Sequence, residues 1–365
     1  MTIYIITCHR AYNYGAVLQA YALQTYLSSK GFETKIINYL PPYLRKISKK
    51  YQRNIIAKII RKIVYYPDYK KSAKVFNKFL NEQLVLTSKE FRSFEELETY
   101  FNMTKSSLFI AGSDQIWNCN LENGKDESYF LSFVNKESHR ISYAASIGLY
   151  SIPADNLERY KSLLSCFDGI SVREQSAVEL LKEIGIASTN VLDPVFLLER
   201  EKWNHLLKSD TLKIKNEKYV LVYALHHCDF IYKYADRLAK KINCKLYVIN
   251  VEIKEKRRKH DLFFWNPDVV SFLNLIKNSF HFVTNSFHGV CFGTIFEKQV
   301  HIFDTENNDP RINDFVIAMG LENRVLKNKI NNNILHNDMN YADFYIKKNK
   351  SLKYSEDFLE HFLNR

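Results

Sequence analysis

Short apolar stretches alternate with longer stretches of helical periodicity from the first residues of the chain. Residues 3–7 and 32–39 predict two strands, and residues 16–29 between them carry apolar side chains at helical spacing. Gly31 follows that helix, where a left-handed C-terminal cap is favoured. This order of strand, helix and strand predicts a parallel βαβ unit with a right-handed crossover.

The same alternation continues along the rest of the chain and predicts an α/β fold with two doubly wound, Rossmann-like domains that face a cleft. Further strands are predicted at residues 108–111, 140–145, 169–173, 219–224, 245–250, 281–284 and 300–303, and further helices at 94–100, 157–166, 176–184, 230–242, 269–278 and 290–296. We expect an N-terminal domain of residues 1–190 with a basic helical insert at about 43–80, a second domain of residues 191–340, and a C-terminal helix of residues 341–365.

Length and composition agree with two domains. A chain of 365 residues is too long for one ordinary hydrophobic core, and its 46% apolar content is normal for a globular protein. No apolar run approaches the ~20 residues that a membrane span needs, and the N-terminus does not read as a signal peptide, so we expect a cytoplasmic protein. The six cysteines are scattered and form no Cys-x-x-Cys motif.

Net charge is +12 and favours an anionic partner. Between Arg45 and Lys74 there are eleven Lys or Arg residues and one acid, Asp68, with isoleucines interleaved at helical spacing. Two interpretations stay open: a helix lying on an acidic membrane face, or a solvated helix that covers the core. A second basic cluster, residues 254–260, is interpreted as a solvated loop or helix start. No nucleic-acid-binding module is recognisable, and we expect no nucleic-acid partner.

The sharpest candidate site is the sequence Thr-Asn-Ser-Phe-His-Gly at residues 284–289. A polar loop here leaves an apolar strand and opens a helix, and ligands of doubly wound sheets bind at the carboxyl ends of strands. Backbone N–H groups at a helix start attract anions, and Gly289 lets the backbone approach a ligand closely. His288 exchanges a proton near neutral pH, which makes it the candidate catalytic residue.

Arg173 follows another predicted strand and has two interpretations. A guanidinium at a strand end can clamp a carboxylate or phosphate through two parallel hydrogen bonds. Equally, Arg173 can form an ion pair with Glu174 or with a helix acid.

Three other strand ends supply weaker candidates for ligand contacts: His9, Asn13, Tyr14 and Gly15 after the first strand, Ser113, Asp114 and Gln115 after the third, and Ser146 after the fourth. Arg10 lies beside the first group. The alternative for Ser113 or Asp114 is a helix N-cap. No metal-binding motif is present in the sequence, and we expect no metal and no bound cofactor.

Taken together, these stretches resemble the polysaccharide pyruvyl transferase family. The matching sequences, in chain order, are Tyr-Asn-Tyr-Gly-Ala-Val-Leu-Gln-Ala-Tyr-Ala-Leu (12–23), Gly-Ser-Asp-Gln-Ile-Trp-Asn (112–118), Tyr-Ala-Ala-Ser-Ile-Gly (143–148), Val-Arg-Glu (172–174), Val-Leu-Asp-Pro (191–194), Thr-Asn-Ser-Phe-His-Gly (284–289), Arg-Ile-Asn-Asp (311–314) and Gly-Leu-Glu-Asn-Arg (320–324).

The resemblance implies a fold similar to the GT-B glycosyltransferases and a reaction that transfers pyruvate from phosphoenolpyruvate to a sugar diol of a surface glycan precursor, forming a cyclic ketal. It implies that His288 and Arg173 lie at the donor site, together with Ser286, Phe287, Gly289 and Arg311. His288 would protonate the donor's methylene carbon or assist phosphate departure. Family members often carry Arg where this chain has Ser286, so the missing cation is expected from Arg311, His9 or Arg10.

The acceptor is expected to be a nucleotide- or lipid-linked sugar that binds the residues named above at the other three strand ends. We also expect the protein to contact the inner face of an anionic membrane peripherally. Two alternatives stay open. One is a glycosyltransferase of the same fold that uses a nucleotide sugar. The other is a non-enzymatic protein that binds anionic lipid or nucleic acid, which the charge alone supports.

Overall fold

The computed structural model describes residues 2–45, 55–214, 217–225, 228–303, 309–326 and 338–364, and the side chains of these residues except Arg45 and 55–64. The chain forms two compact units. Unit 1 comprises Met1–Lys49, Leu80–Leu198 and Asn349–Arg365, and unit 2 comprises Lys50–Phe79 and Glu199–Lys348.

The described part of the chain contains twelve strands and eleven α-helices. The strands are β1 (Thr2–Ile6), β2 (Glu33–Ile36), β3 (Leu108–Ala111), β4 (His139–Ser142), β5 (Ser171–Val172), β6 (Thr189–Asn190), β7 (Tyr219–Tyr223), β8 (Lys245–Asn250), β9 (Leu262–Trp265), β10 (His281–Thr284), β11 (Gln299–Phe303) and β12 (Val325–Leu326). The helices are α1 (Tyr14–Ser29), α2 (Ile55–Gln83), α3 (Phe94–Phe101), α4 (Ala154–Leu164), α5 (Gln175–Glu183), α6 (Arg200–Leu207), α7 (Asp229–Lys241), α8 (Val269–Asn278), α9 (Phe287–Ile295), α10 (Pro310–Met319) and α11 (Tyr341–Leu363).

Six short 3₁₀ helices join these elements in the described residues: Pro42–Arg45, Asn123–Lys125, Glu127–Phe130, Pro194–Phe196, Ile253–Arg257 and Glu322–Arg324.

Unit 1 is built on a parallel sheet in the order β2-β1-β3-β4. Isolated parallel bridges from Ile141 to Gly169 and from Ala145 to Val172 continue the sheet to β5, which pairs with β6. All four residues of β3 are buried and apolar, as expected where helices cover both faces of a parallel sheet. The chain starts in the middle of this sheet at β1 and adds strands on both sides.

Unit 2 is built on a parallel sheet in the order β12-β11-β10-β7-β8-β9. Its first strand, β7, lies inside the sheet. The chain adds β8 and β9 on one side of β7, and then β10, β11 and β12 on the other. The strand order therefore reverses between β7 and β10, which is the doubly wound arrangement that the sequence predicted.

Most predicted elements lie within a few residues of the observed ones, with some corrections. Helix α9 begins at Phe287 and not at residue 290, because Ser286 is its N-cap and accepts a hydrogen bond from the Gly289 amide at 3.2 Å. Strand β4 ends at Ser142 and not at 145, since Ala144 adopts a left-handed backbone with φ of 54°. Elements β6, α6, β9, α10 and β12 were not predicted.

The two units divide the chain differently from the predicted domains. Residues 50–79, expected as part of an insert in the first domain, group with unit 2, and residues 349–365 of the C-terminal helix group with unit 1. Residues 46–54 of the predicted insert lie outside the described residues. A search of the described helices finds none with the length and apolar content needed to cross a membrane.

Unit 2 also buries a hydrogen-bonded chain of aromatic side chains. His281 Nδ1 and His301 Nε2 are 2.9 Å apart, and His301 Nδ1 lies 2.8 Å from the Tyr234 hydroxyl. Burial, with the nearby Arg324 guanidinium, lowers the pKa of His281 to about 4 and that of His301 well below its usual range. Both imidazoles are therefore neutral in the folded protein near neutral pH.

We expect this pair to make unit 2 sensitive to acid. The unfolded histidines titrate near pH 6.5, above their folded pKa values, so their stabilising contribution is complete above that pH and declines as pH falls toward 4. The loss between pH 7 and pH 5 should be on the order of 1–2 kcal/mol per histidine. Urea unfolding at the two pH values measures it.

The variant His281→Gln should show a smaller loss of stability between pH 7 and pH 5 than the wild type. His205→Gln, which changes an exposed histidine of α6, is the matched control and should not alter the pH dependence. An unchanged pH dependence in both variants would contradict the assignment.

Candidate functional site

In unit 2, two loops meet where the strand order reverses. The Asn285 side chain, after β10, accepts a hydrogen bond from the Leu225 amide, after β7, at 2.8 Å. Thr284 donates its hydroxyl hydrogen to the Tyr223 carbonyl, also at 2.8 Å. The ends of β7 and β10 are thus fixed to each other at the place where open α/β sheets bind their ligands.

His288 lies in the first turn of α9 directly beyond this junction. It is the second helical residue after the Ser286 cap, and its exposed fraction is 7%. Its ring contacts Phe287 edge-on at a centroid distance of 5.1 Å, and Phe287 packs in turn against Phe315 of α10. Aromatic packing therefore fixes the position of the imidazole. The ring lies at a helix start, where the backbone N–H groups carry a partial positive charge.

Gly289 is required by contact with the preceding strand. A Cβ at this position would lie 2.5 Å from Thr284 Oγ1 and 3.2 Å from Ser286 Cβ. Any side chain would therefore push the first turn of α9 away from the end of β10. The absence of a side chain at Gly289 thus lets α9 approach its own strand, while the predicted close approach of this backbone to a ligand stays a prediction.

Arg311 begins α10, next to the undescribed residues 304–308. Its Nε and Nη2 donate to the two carboxylate oxygens of Asp309 at 2.9 and 2.5 Å, and Asp309 also caps the helix. The Arg311 charge, predicted to replace the cation missing at Ser286, is thus paired with a neighbouring carboxylate. Arg10 is engaged likewise, since its Nε donates to Asn38 at 3.0 Å and its Nη2 lies 4.0 Å from Glu90.

In unit 1, Arg173 is part of a buried ion pair. Its Nη1 lies 2.8 Å from Asp193 Oδ2, and the side chains of the two residues are 2% and 0% exposed. Ser113 joins them by donating its hydroxyl hydrogen to Asp193 at 2.9 Å. The geometry favours the ion-pair interpretation of Arg173. The predicted partner Glu174 lies 3.9 Å from Arg173 Nε through its Oε2, and the closer partner, Asp193, was not predicted.

Glu174, the next residue, holds the loop after β4. Its Oε1 accepts hydrogen bonds from the Ser146 hydroxyl at 2.9 Å and from the amides of Ile147 and Gly148 at 2.8 Å each. Ser146, predicted to contact an acceptor, is therefore fully buried and bonded to protein. Glu174 itself was not predicted as a site residue, although its place in the Val-Arg-Glu motif gave a signal for it.

The other predicted acceptor residues divide into two groups. Asn13 is the N-cap of α1, where it accepts from the Gly15 amide at 2.8 Å, and Tyr14 and Gly15 are buried in the first turn. Asp114 and Gln115 are half-buried, and Asp114 holds a left-handed backbone with φ of 82°. No helix begins at Ser113 or Asp114, so the N-cap alternative for them is wrong.

His9 is completely buried at the carboxyl end of β1. Its Nδ1 lies 3.0 Å from the Thr7 carbonyl, which can only accept, so Nδ1 carries the hydrogen and Nε2 bears a lone pair. Nε2 has no hydrogen-bond partner among the described residues. Burial, assisted by Arg10, lowers the pKa of His9 to about 3, so the ring is neutral at physiological pH.

The structure therefore gathers the predicted residues at two strand edges, one in each unit. His9, Ser113, Ser146 and Arg173 belong to unit 1, where the Thr7 hydroxyl donates to the Ser113 carbonyl at 2.8 Å and so links the ends of β1 and β3. The residues 286–289 and Arg311 belong to unit 2. No cluster of three or more His, Cys, Asp or Glu able to hold a metal ion occurs in the described ranges.

In a comparison with protein families, the model for polysaccharide pyruvyl transferases matches residues 13–307, about four fifths of the chain. This chain belongs to the polysaccharide pyruvyl transferase family. The resemblance read from the ordered motifs is thereby confirmed, and the family is one of transferases. The matched range contains Arg173 and His288 but not His9 or Arg311. Comparison with curated proteins finds no significant match.

Solved structures similar to this pyruvyl transferase family member show the same fold at low identity. The UDP-GlcNAc 2-epimerase from Neisseria meningitidis bound to UDP-GlcNAc has a TM-score of 0.54 and 11% identity over 100% of both chains. The UDP-N-acetylglucosamine 2-epimerase from Rickettsia bellii has a TM-score of 0.54 and 10% identity over 100% of this chain and 96% of its own. These neighbours confirm the predicted GT-B-like fold class.

We expect Asp193→Ala to destabilise this family member strongly, because it leaves the Arg173 charge buried without its closest carboxylate. The loss should be about 3–5 kcal/mol in urea unfolding. The double variant Arg173→Met with Asp193→Leu removes both charges and should be less destabilised than the single variant. Equal losses in the two variants would show that the ion pair does not carry the effect.

Gly289→Ala should also destabilise the protein, by about 1–3 kcal/mol, since the new methyl group meets Thr284 Oγ1. Helix propensity alone predicts the opposite sign, a gain of about 1 kcal/mol for alanine within a helix. The urea unfolding midpoint distinguishes the two, and a rise in the midpoint would refute the close contact.

Proposed function

We propose that this chain transfers pyruvate from phosphoenolpyruvate to two hydroxyls of a sugar in a surface glycan precursor and forms a cyclic ketal. The observation that carries the proposal is the position of His288. In a member of a polysaccharide pyruvyl transferase family, a titratable imidazole stands in the first turn of α9 at the strand reversal of unit 2. A helix start binds anions through its N–H groups, and the reversal of strand order is where open α/β sheets bind ligands, so both features suit a small anionic donor.

The reaction needs a proton donor and an anion-binding element. His288 protonates the methylene carbon of phosphoenolpyruvate, which makes the neighbouring carbon electrophilic. One sugar hydroxyl adds to that carbon and returns a proton to His288, and the bond between the carbon and the phosphate oxygen breaks. The second hydroxyl then adds to the same carbon and gives its proton to the released phosphate, which closes the ketal. The products are the ketal and inorganic phosphate. The alternative role for His288 is to assist the departing phosphate.

The donor's negative charge is opposed by the start of α9. The first-turn N–H groups of a helix carry a partial positive charge, and Ser286 and Gly289 shape this turn. This backbone site supplies part of the attraction that an arginine at position 286 would give. Arg311 acts through its salt bridge with Asp309, which fixes the start of the neighbouring helix α10.

Arg173 is proposed as a positioning residue and not as a direct clamp on the donor. Its guanidinium is held by Asp193, and Glu174 beside it holds the loop after β4. The pair fixes the carboxyl edge of the unit 1 sheet, where Asp114, Gln115 and His9 lie. The lone pair on His9 Nε2 suits a hydrogen bond from a hydroxyl of the acceptor.

The acceptor is proposed to be a nucleotide- or lipid-linked sugar, and no bound cofactor or metal is required. A second candidate is a reaction on a nucleotide sugar, since solved structures of similar fold were determined with UDP or UDP-GlcNAc. Their identity of 11–13% shows the fold alone. Ketal formation is preferred because the family match covers the His288 motif.

His288→Ala should reduce phosphate release from phosphoenolpyruvate in the presence of a galactose-type acceptor by at least about 10²-fold, because a positioned acid typically contributes that much or more to the rate. Phosphate release and mass-spectrometric detection of the ketal measure the effect. The variant should remain folded, as judged by circular dichroism and thermal unfolding.

His205→Ala, an exposed histidine of the same unit, is the matched control and should keep wild-type turnover. Near-wild-type turnover of His288→Ala would remove His288 from the mechanism. Release of UDP from a nucleotide sugar, with no phosphate from phosphoenolpyruvate, would favour the second candidate.

A further inference from the structure

Two basic segments that lie far apart in the sequence are neighbours in unit 2. Asp68 of α2 accepts hydrogen bonds from the Trp265 indole at 2.8 Å and from the Ile253 amide at 3.0 Å. Ser72, one helical turn further on, accepts from the Asn266 side chain at 2.7 Å. Helix α2 therefore lies along the edge strand β9 and the 3₁₀ helix Ile253–Arg257.

The residues that face away from these contacts are basic. Asp68 and Ser72 are four residues apart on one face of α2, whereas the exposed Lys70 and Lys74 are placed on the opposite face by the helical repeat. Lys256 and Arg257, also exposed, lie within four residues of the Ile253 contact. We call five of the exposed residues of this region the basic face: Tyr66, Lys70, Lys74, Lys256 and Arg257.

The positive charge of the basic face is not neutralised locally. Residues 65–79 and 252–260 together contain nine Lys or Arg against three acids. Those acids are engaged: Glu255 is buried beside Arg258, Glu252 pairs with Lys254, and Asp68 accepts from Trp265 and Ile253. Among the described residues, no carboxylate lies within 4.0 Å of the four cations of the face.

Apolar and aromatic groups accompany this charge. Tyr66 is 52% exposed on the outer side of α2, and tyrosine is a residue favoured at the membrane–water interface. The preceding ten residues of the same helix, 55–64, contain five isoleucines and a valine among Lys and Arg, with no acid. Basic residues interleaved with apolar ones suit a membrane surface, where the charges meet anionic headgroups and the apolar side chains enter the acyl boundary. A nucleic-acid backbone binds basic residues through its phosphates and offers no such partner to apolar side chains.

We propose that the basic face docks unit 2 on the surface of a membrane rich in anionic phospholipids. Each Lys or Arg near such a surface contributes to attraction that extends over about a Debye length, so several cations on one face add up to stable but salt-sensitive binding. The docking uses none of the residues proposed for catalysis. It therefore stands or fails independently of the proposed transfer of pyruvate.

The test is flotation of the full chain with vesicles. Wild-type protein should bind vesicles of equal parts phosphatidylglycerol and phosphatidylcholine, should not bind pure phosphatidylcholine, and should dissociate as salt is raised. The quadruple variant Lys70→Glu, Lys74→Glu, Lys256→Glu and Arg257→Glu should bind the anionic vesicles at least about tenfold more weakly.

The matched control reverses the same number of charges in unit 1: Lys105→Glu, Lys136→Glu, Lys161→Glu and Lys182→Glu, all at exposed lysines. It has the same net charge as the first variant and should keep most of the vesicle binding. Equal losses in the two variants would mean that net charge alone acts, which overturns the basic face. Failure of the wild type to bind, or binding to duplex DNA but not to anionic vesicles, would also overturn the proposal.

Discussion

Parallel pairing of the strands is the constraint on which the rest of this structure depends. Every strand pair in the described part of the chain is parallel, so each strand must be followed by a crossover and the carboxyl ends of all strands collect at one edge of their sheet. Strands covered on both faces must be apolar, which confines polar side chains to those edges. The candidate residues of both units lie there for this reason.

The two edges are stabilised by different interactions. In unit 2 the junction of β7 and β10 is fixed by two neutral hydrogen bonds: Asn285 accepts from the Leu225 amide, and Thr284 donates to the Tyr223 carbonyl. In unit 1 the edge is held by the buried charges of Arg173, Asp193 and Glu174. Buried ions are costly unless each has a partner, so these three side chains are best understood as a fixed support for the loops around them.

The sequence placed the candidate residues at strand ends but could not assign the contacts that each residue makes. His288, Ser286 and Gly289 lie where the motif placed them, at the end of β10. The start of α9 was predicted three residues late, because a glycine in the first turn normally indicates a loop, whereas Gly289 is there to allow contact with Thr284. The closest partner of Arg173, Asp193, is twenty residues away in the chain, and local spacing gives no signal for a pair formed by tertiary folding.

The periodicity of apolar residues and the ordered motifs were enough by themselves to determine the α/β class, most of the strand and helix order, and the family. Strands that are buried on both faces of a parallel sheet are continuously apolar, and this pattern is visible in the local sequence. Only the tertiary structure decided which charges neutralise each other. In the folded chain Arg173 pairs with Asp193, and Glu174 accepts hydrogen bonds from the loop after β4. Folding also places the basic residues of α2 beside Lys256 and Arg257. Ion pairs depend on distances of a few ångströms between groups that the chain order keeps far apart, and the sequence does not contain those distances.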